Sequence, residues 1–264
     1  MPSIISADGT PIGYELTGSG PLLVAVPGAT QYRAIDPGTS ELARQLAGAF
    51  TVLVYDRRGR GASGDTAPYA VAREVEDIAA LIAANGGTAS LYGMSSGAVL
   101  ALEATVALGE RVTGMVLYEP PIDPARAADS YEADRAAMAQ LADAGRHEDM
   151  LVDFLSAVMP QEALDGFRHS PGWPAFAAVG KTILYDYSVL AGARTGDAPP
   201  ERWAEISAPV LILDGDHSFP FMKAGADWVS KGLRNVERRT LAGQDHGVAP
   251  DVLAPILVEF LKRD

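Results

Sequence analysis

A chain of 264 residues, 48% hydrophobic and with 27 glycines and 18 prolines, is long enough for one large α/β domain or a core with an insertion, and too apolar to stay disordered. Its formal charge of −13 opposes phosphate backbones and anionic membrane surfaces, so nucleic-acid and membrane binding are not expected, and a neutral or apolar small molecule is the expected partner. The absence of cysteine excludes disulfides, thiolate metal sites and a cysteine nucleophile.

The first residues lack a basic stretch followed by an apolar run, and no segment approaches the roughly 18 apolar residues of a membrane span, so a cytoplasmic protein is expected. In chain order, residues 3–7 and 12–17 read as strands around the Asp8-Gly9 turn. The unbroken apolar runs at 22–26 and 51–55 are strands buried on both faces, with a helix expected over 41–50 between them. An amphipathic helix over 69–84 stops at Asn85-Gly86-Gly87. A strand at 90–92, a helix over 98–108 and a strand at 112–118 follow, the last running into Glu119-Pro120-Pro121.

The alternation then breaks. From Ile122 to Glu205 the pattern is helical only, with helices expected over 130–144, 147–159, 161–167 and 174–190. The expected organisation is a core built from 1–121 and 206–264, interrupted by a helical cap at 122–205. The cap carries more large apolar side chains than a small layer needs, and those facing the core are candidates to line a substrate cavity. Strands at 209–213 and 236–241 and helices over 221–233 and 252–261 complete the chain. Strands alternating with helices at this spacing form right-handed βαβ units and a mostly parallel sheet.

Three chemically capable residues each follow a predicted strand, and a parallel sheet brings such positions together at its carboxyl edge: Ser95, Glu119 and His246. Ser95 sits in Gly93-Met94-Ser95-Ser96-Gly97, a G-x-S-x-G pattern between a strand and a helix, where a sharp turn exposes the central hydroxyl. A neutral serine is a poor nucleophile until a base takes its proton and an acid orients that base.

With these motifs, the DRRGRGAS loop at 56–63, the PVLILDGD segment at 209–216 and GQDHG at 243–247, the chain resembles the α/β-hydrolase family over nearly its full length, in particular capped bacterial hydrolases and zearalenone-type lactonases. The resemblance implies an eight-stranded, mostly parallel sheet with a helical cap, Ser95 as nucleophile and His246 as general base. The commoner family pattern puts the acid three residues after the glycine ending the next-to-last strand, but here that position is Ser218. Glu119 matches the lactonase-like alternative and is favoured over Asp214 or Asp216.

The oxyanion donors implied are the backbone N–H groups of Ser96 and Ala29, with Gly28 second to Ala29. Trp173, Met94, Phe154 and Tyr187 are the candidate substrate contacts, and the arginines of the 56–63 loop are expected to be chiefly structural. No cofactor or metal is implied. The function expected is hydrolysis of an ester or lactone through an acyl-enzyme, in a monomer or homodimer. Carbon–carbon bond hydrolysis on the same triad, or a non-catalytic small-molecule binding protein of the same fold, are the alternatives.

Overall fold

The computed structural model describes residues 2–263. Eight strands, β1 (Ser3–Ile5), β2 (Pro11–Gly18), β3 (Leu22–Val26), β4 (Thr51–Tyr55), β5 (Ala89–Met94), β6 (Val112–Tyr118), β7 (Val210–Gly215) and β8 (Val236–Leu241), form one sheet in the order β1-β2-β4-β3-β5-β6-β7-β8. The β1–β2 and β2–β4 pairs are antiparallel and all others parallel. β3 is buried along its whole length, as an unbroken Leu-Leu-Val-Ala-Val run requires of a central parallel strand.

The helices cover both faces. On one, α2 (Val71–Ala84), α3 (Ser96–Leu108) and α9 (Pro220–Ser230) place Ile78, Leu81, Val99, Leu102 and Val229 in a single apolar cluster. On the other, α1 (Pro37–Leu46) and α10 (Pro250–Leu261) do the same with Leu42, Leu46, Leu253, Leu257 and Phe260. No helix among the described residues is long and apolar enough to cross a membrane.

Between β6 and β7 the regular structure is helical: α4 (Ala128–Asp143), α5 (His147–Ser156), α6 (Gln161–Arg168), α7 (Trp173–Ala177) and α8 (Ile183–Ala193). This insert has its own cluster, with Met138, Met150, Leu151, Leu155, Leu164, Trp173 and Ile183 buried together. Its ends merge with the sheet's core, since Ile122, Val189, Ala193 and Trp203 are buried in the α2/α3 face.

Three expectations are corrected. The helix expected over 41–50 begins at Pro37, because the Asp36 carboxylate accepts from Thr39 N–H at 3.0 Å and Pro37 occupies the first turn, where its missing donor costs nothing. The strand expected over 90–92 extends over 89–94. The helix expected over 174–190 is two helices joined by a short 3₁₀ turn at Gly180–Thr182. There the backbone lies so close to the His147 carbonyl that a Cβ on Gly180 would overlap it.

Candidate active site

β5 ends at Met94, and Ser95 turns the chain into α3 with φ 55° and ψ −128°. A non-glycine residue at positive φ is strained by about 1–3 kcal/mol, and the surroundings here enforce it. Ser95 N–H donates to the Tyr118 carbonyl of the neighbouring strand at 2.9 Å. The flanking glycines leave no alternative: a Cβ on Gly93 would lie 2.6 Å from the Gly97 carbonyl, and one on Gly97 would overlap the Val26 carbonyl. The G-x-S-x-G pattern is therefore a steric requirement of packing this turn against β3. The Ser95 hydroxyl makes no hydrogen bond among the described residues and opens into a cavity.

One strand over, Glu119 directly follows β6 with φ 48°, the same kind of strained exit. Its N–H donates to the Leu213 carbonyl of β7 at 2.9 Å, which pins the turn, and its carboxylate is fully buried. Oε1 accepts from Gly215 N–H at 2.8 Å. Oε2 accepts from the Ser218 hydroxyl at 2.7 Å and faces His246 Nδ1 at 2.6 Å. With Nδ1–H held by a carboxylate, Nε2 is the ring nitrogen free to accept a proton. His246 sits after β8 in a loop fastened from below, since the Tyr118 hydroxyl donates to the Asp245 carbonyl. The Phe219 ring packs at 6.4 Å against the imidazole.

The other carboxylates named from the sequence are committed elsewhere. Asp214 pairs with Arg238 at 2.7 Å and accepts from the Thr240 hydroxyl. Asp216 accepts from Gly243 N–H at 2.6 Å. Neither reaches His246, because strand alternation and the turn at Gly215 aim them at β8 and its following loop. His217, His147 and His169 are on the surface.

Ser95 and His246 share a cavity of about 520 Å³ between the sheet edge and the insert. Met94, Phe154 and Tyr187 line it, with Leu155, Leu190 and Met222. Burial pushes the Tyr187 hydroxyl up to about 12, with Asp153 adding to the effect, so it is a neutral donor at any physiological pH. Trp173 is not on this wall. Its indole is buried in the insert's own cluster, edge-on to Phe167 at 5.5 Å, with Nε1 donating to Glu148 at 3.0 Å, because an insert of this size needs a large side chain for its own core.

Ala29 and Ser96 border the cavity, and neither backbone N–H has a partner among the described residues. Gly28 N–H does: it donates to Gln31 Oε1 at 2.6 Å, so it is unavailable to a ligand. Gln31, itself tied to Asp36 through Nε2 at 3.0 Å, is thus a loop-shaping residue that the sequence did not single out.

A second overlooked residue is Asp186, buried on α8 beneath the cavity floor. Its Oδ1 accepts from the Ser96 hydroxyl at 2.7 Å and from Arg57 at 2.5 Å, and its Oδ2 from Arg60 at 2.6 Å. Burial alone would raise its pKa, but Arg57 and Arg60 outweigh that and hold the carboxyl below the usual range. The available signal was its position as the one charged residue in the otherwise apolar or neutral ILYDYSVLAGA helix. The arginines of the 57–60 segment are buried and ion-paired: Arg57 clasps Glu74 with bonds of 2.6 and 2.7 Å, and Arg58 clasps Asp77 with bonds of 2.9 and 2.8 Å. Among the described residues, no group of three or more His, Asp or Glu side chains is disposed to hold a metal ion.

Residues 23–255 match the model of the alpha/beta hydrolase family. The chain belongs to this family. It is 40% identical to an alpha/beta hydrolase from Sphaerobacter thermophilus, with a TM-score of 0.84 over 99% of this chain and all of that one. An uncharacterized hydrolase of Bacillus subtilis, YraK, is 32% identical over 124 residues, which is 44% of this chain and 43% of that protein. The enol-lactonase of Burkholderia xenovorans shares the fold at 18% identity, with a TM-score of 0.68 over 99% of this chain and all of that one.

Proposed function

We propose that this hydrolase cleaves an ester or lactone of a small, largely apolar molecule through an acyl-enzyme on Ser95. The observation that carries the reading is the buried Glu119 carboxylate 2.6 Å from His246 Nδ1, in a loop that shares an apolar cavity with a serine held on a strained turn. His246 Nε2 takes the Ser95 proton as Oγ bonds to the substrate carbonyl carbon, and the carbonyl electrons move onto oxygen. The N–H groups of Ala29 and Ser96 receive that oxyanion, each contributing about 100- to 1000-fold in rate. Collapse of the tetrahedral adduct breaks the acyl–oxygen bond, and the imidazolium returns its proton to the departing alkoxide. A water then repeats the sequence, releasing the acid and free Ser95. Glu119 keeps Nε2 as the basic nitrogen and balances the transient imidazolium charge.

The surface of the cavity is mostly apolar, which suits an acyl or alkyl portion, while Asp123, Arg126 and Asp134 also border it, and a cavity of this volume is within the range of ordinary small-molecule sites. Stoichiometric labelling by a fluorophosphonate, abolished in Ser95→Ala, is the expected result. Absence of labelling at Ser95 refutes acyl transfer there. Product analysis with a p-nitrophenyl ester, a lactone and a β-diketone then distinguishes ester or lactone cleavage from carbon–carbon cleavage.

A further inference from the structure

The two backbone donors beside Ser95 come from segments that are far apart in sequence, yet one side chain of the insert is connected to both. Gly28 C=O and Ala29 N–H belong to a single planar peptide, in which carbonyl oxygen and amide hydrogen point in opposite directions. Arg60 Nη1 donates to that carbonyl at 2.5 Å and to the Gln31 carbonyl at 3.2 Å, so it grips the loop from the side away from the cavity. A guanidinium on the carbonyl fixes the peptide plane with Ala29 N–H directed outward, and it polarises the amide, making the N–H a stronger donor. The loop is close enough for this to matter, since a Cβ on Gly28 would lie 3.0 Å from the Ser95 Cβ.

Arg60 is almost completely buried, and a buried guanidinium is costly unless a counter-ion faces it. That counter-ion is Asp186, at 2.6 Å. Arg57 is already matched by the bidentate Glu74, which leaves Asp186 and Arg60 as the second half of a neutral four-charge cluster. The other Asp186 oxygen accepts from the hydroxyl of Ser96, whose backbone supplies the second donor, and so fixes the first residue of α3 against α8.

We propose that Asp186 and Arg60 are positioning residues for the oxyanion: a carboxylate on the insert orients both backbone donors, one through Arg60 and the Gly28–Ala29 peptide, the other through the Ser96 side chain. The inference rests on acyl transfer at Ser95. It gives the insert a part in the chemical step in addition to enclosing substrate.

The test uses the full chain and measures kcat and KM on p-nitrophenyl butyrate, the rate of Ser95 phosphonylation by a fluorophosphonate, and thermal unfolding. Asp186→Asn and Arg60→Met are expected to slow both turnover and phosphonylation about 10- to 100-fold, with KM within about twofold of the parent. Arg60→Lys, which keeps the charge, is expected to recover part of the loss. Ser96→Ala, which removes only the hydroxyl, is expected to cost about 3- to 10-fold in kcat. Lys181→Met removes a different insert-to-core ion pair, the 2.8 Å contact with Asp65, and is expected to leave both rates unchanged.

Folded Asp186→Asn with parental rates overturns the proposal, as does a Lys181→Met loss equal to that of Asp186→Asn, which would mean that any loosening of the insert suffices. If Asp186→Asn does not fold, Ser96→Ala and Arg60→Met decide, and parental rates in both overturn it. Failure of the parent to label at Ser95 removes the acyl-transfer reading and this inference with it. Labelling of the parent and the variants at equal rates removes this inference alone.

Discussion

The substitution Glu119→Gln changes one atom and isolates the role of the charge. Gly215 N–H points at Oε1 from 2.8 Å and requires an acceptor, so the amide oxygen of the substituted side chain takes that place. The NH₂ group then occupies the Oε2 position, facing His246 Nδ1, and the Ser218 hydroxyl rotates from donor to acceptor. An amide donating to Nδ1 forces the imidazole proton onto Nε2, which in the proposed mechanism deprives Ser95 of its base. The side chain keeps its shape and its burial, and the stability cost is about 1–2 kcal/mol. The catalytic cost of a reversed tautomer is about 10⁴-fold in kcat, which corresponds to about 5 kcal/mol of lost transition-state stabilisation. The assay is kcat on a p-nitrophenyl ester, normalised to folded protein, beside Asp214→Asn and Asp216→Asn. Those two variants are expected to retain most of the turnover, although loss of the buried Asp214–Arg238 pair lowers the unfolding temperature. Activity of Glu119→Gln within tenfold of the parent, or a larger loss in either aspartate variant, refutes the reasoning.

Three further outcomes are expected. Val158→Trp places an indole in the cavity wall and lowers kcat/KM for a p-nitrophenyl octanoate about tenfold relative to the acetate; an unchanged ratio would remove this wall from the acyl site. Trp173→Phe leaves kcat and KM unaltered but lowers the unfolding temperature by about 2–4 °C, through the lost bond to Glu148 and a small core void, so a KM change would return Trp173 to the substrate site. Asp186 has a folded pKa below its unfolded one, so its stabilisation is complete above the ordinary carboxylate range and lost as pH falls through the depressed folded value. The gap in unfolding temperature between parent and Asp186→Asn is therefore constant from pH 7 to about 5 and narrows below about pH 4, and a gap that widens on acidification contradicts the assignment.

The fold was readable because its signals are local. Unbroken apolar runs such as Leu22–Val26 and Thr51–Tyr55 mark strands covered on both faces, and a parallel sheet puts whatever follows each strand at one edge. That rule brings Ser95, Glu119 and His246 to one edge, but also Asp214, Asp216 and His217, and the choice among them came from the family resemblance. What the chain did not disclose depends on contacts between distant segments. The helix expected over 174–190 is broken where Gly180 meets the His147 carbonyl, at the start of a different helix far upstream. Trp173 has the composition of a cavity residue, but the inward face of the insert is set by how α5, α6 and α7 close on one another. Gly28 is excluded as a donor by Gln31, whose side chain folds back on its own loop. Asp186 becomes meaningful only once α8 lies across the turn that bears Ser96.

The serine at position 218 follows physically from the glutamate at 119. Its hydroxyl lies 2.7 Å from Glu119 Oε2, the oxygen that also faces the imidazole. A carboxylate at 218 would set two anions about 3 Å apart beside a fully buried group, and one would have to take up a proton, as in a carboxylate dyad. The shared proton would compete with the imidazole for Oε2, and the orienting charge would be halved. A hydroxyl supplies a donor instead, so that, with the Gly215 N–H and the imidazole N–H, the two carboxylate oxygens of Glu119 accept three hydrogen bonds. A short polar donor at 218 and a long carboxylate at 119 are thus two halves of one arrangement. The strained φ of 48° at Glu119 belongs to it as well, since that exit from β6 carries the carboxylate back over β7 to reach the same imidazole.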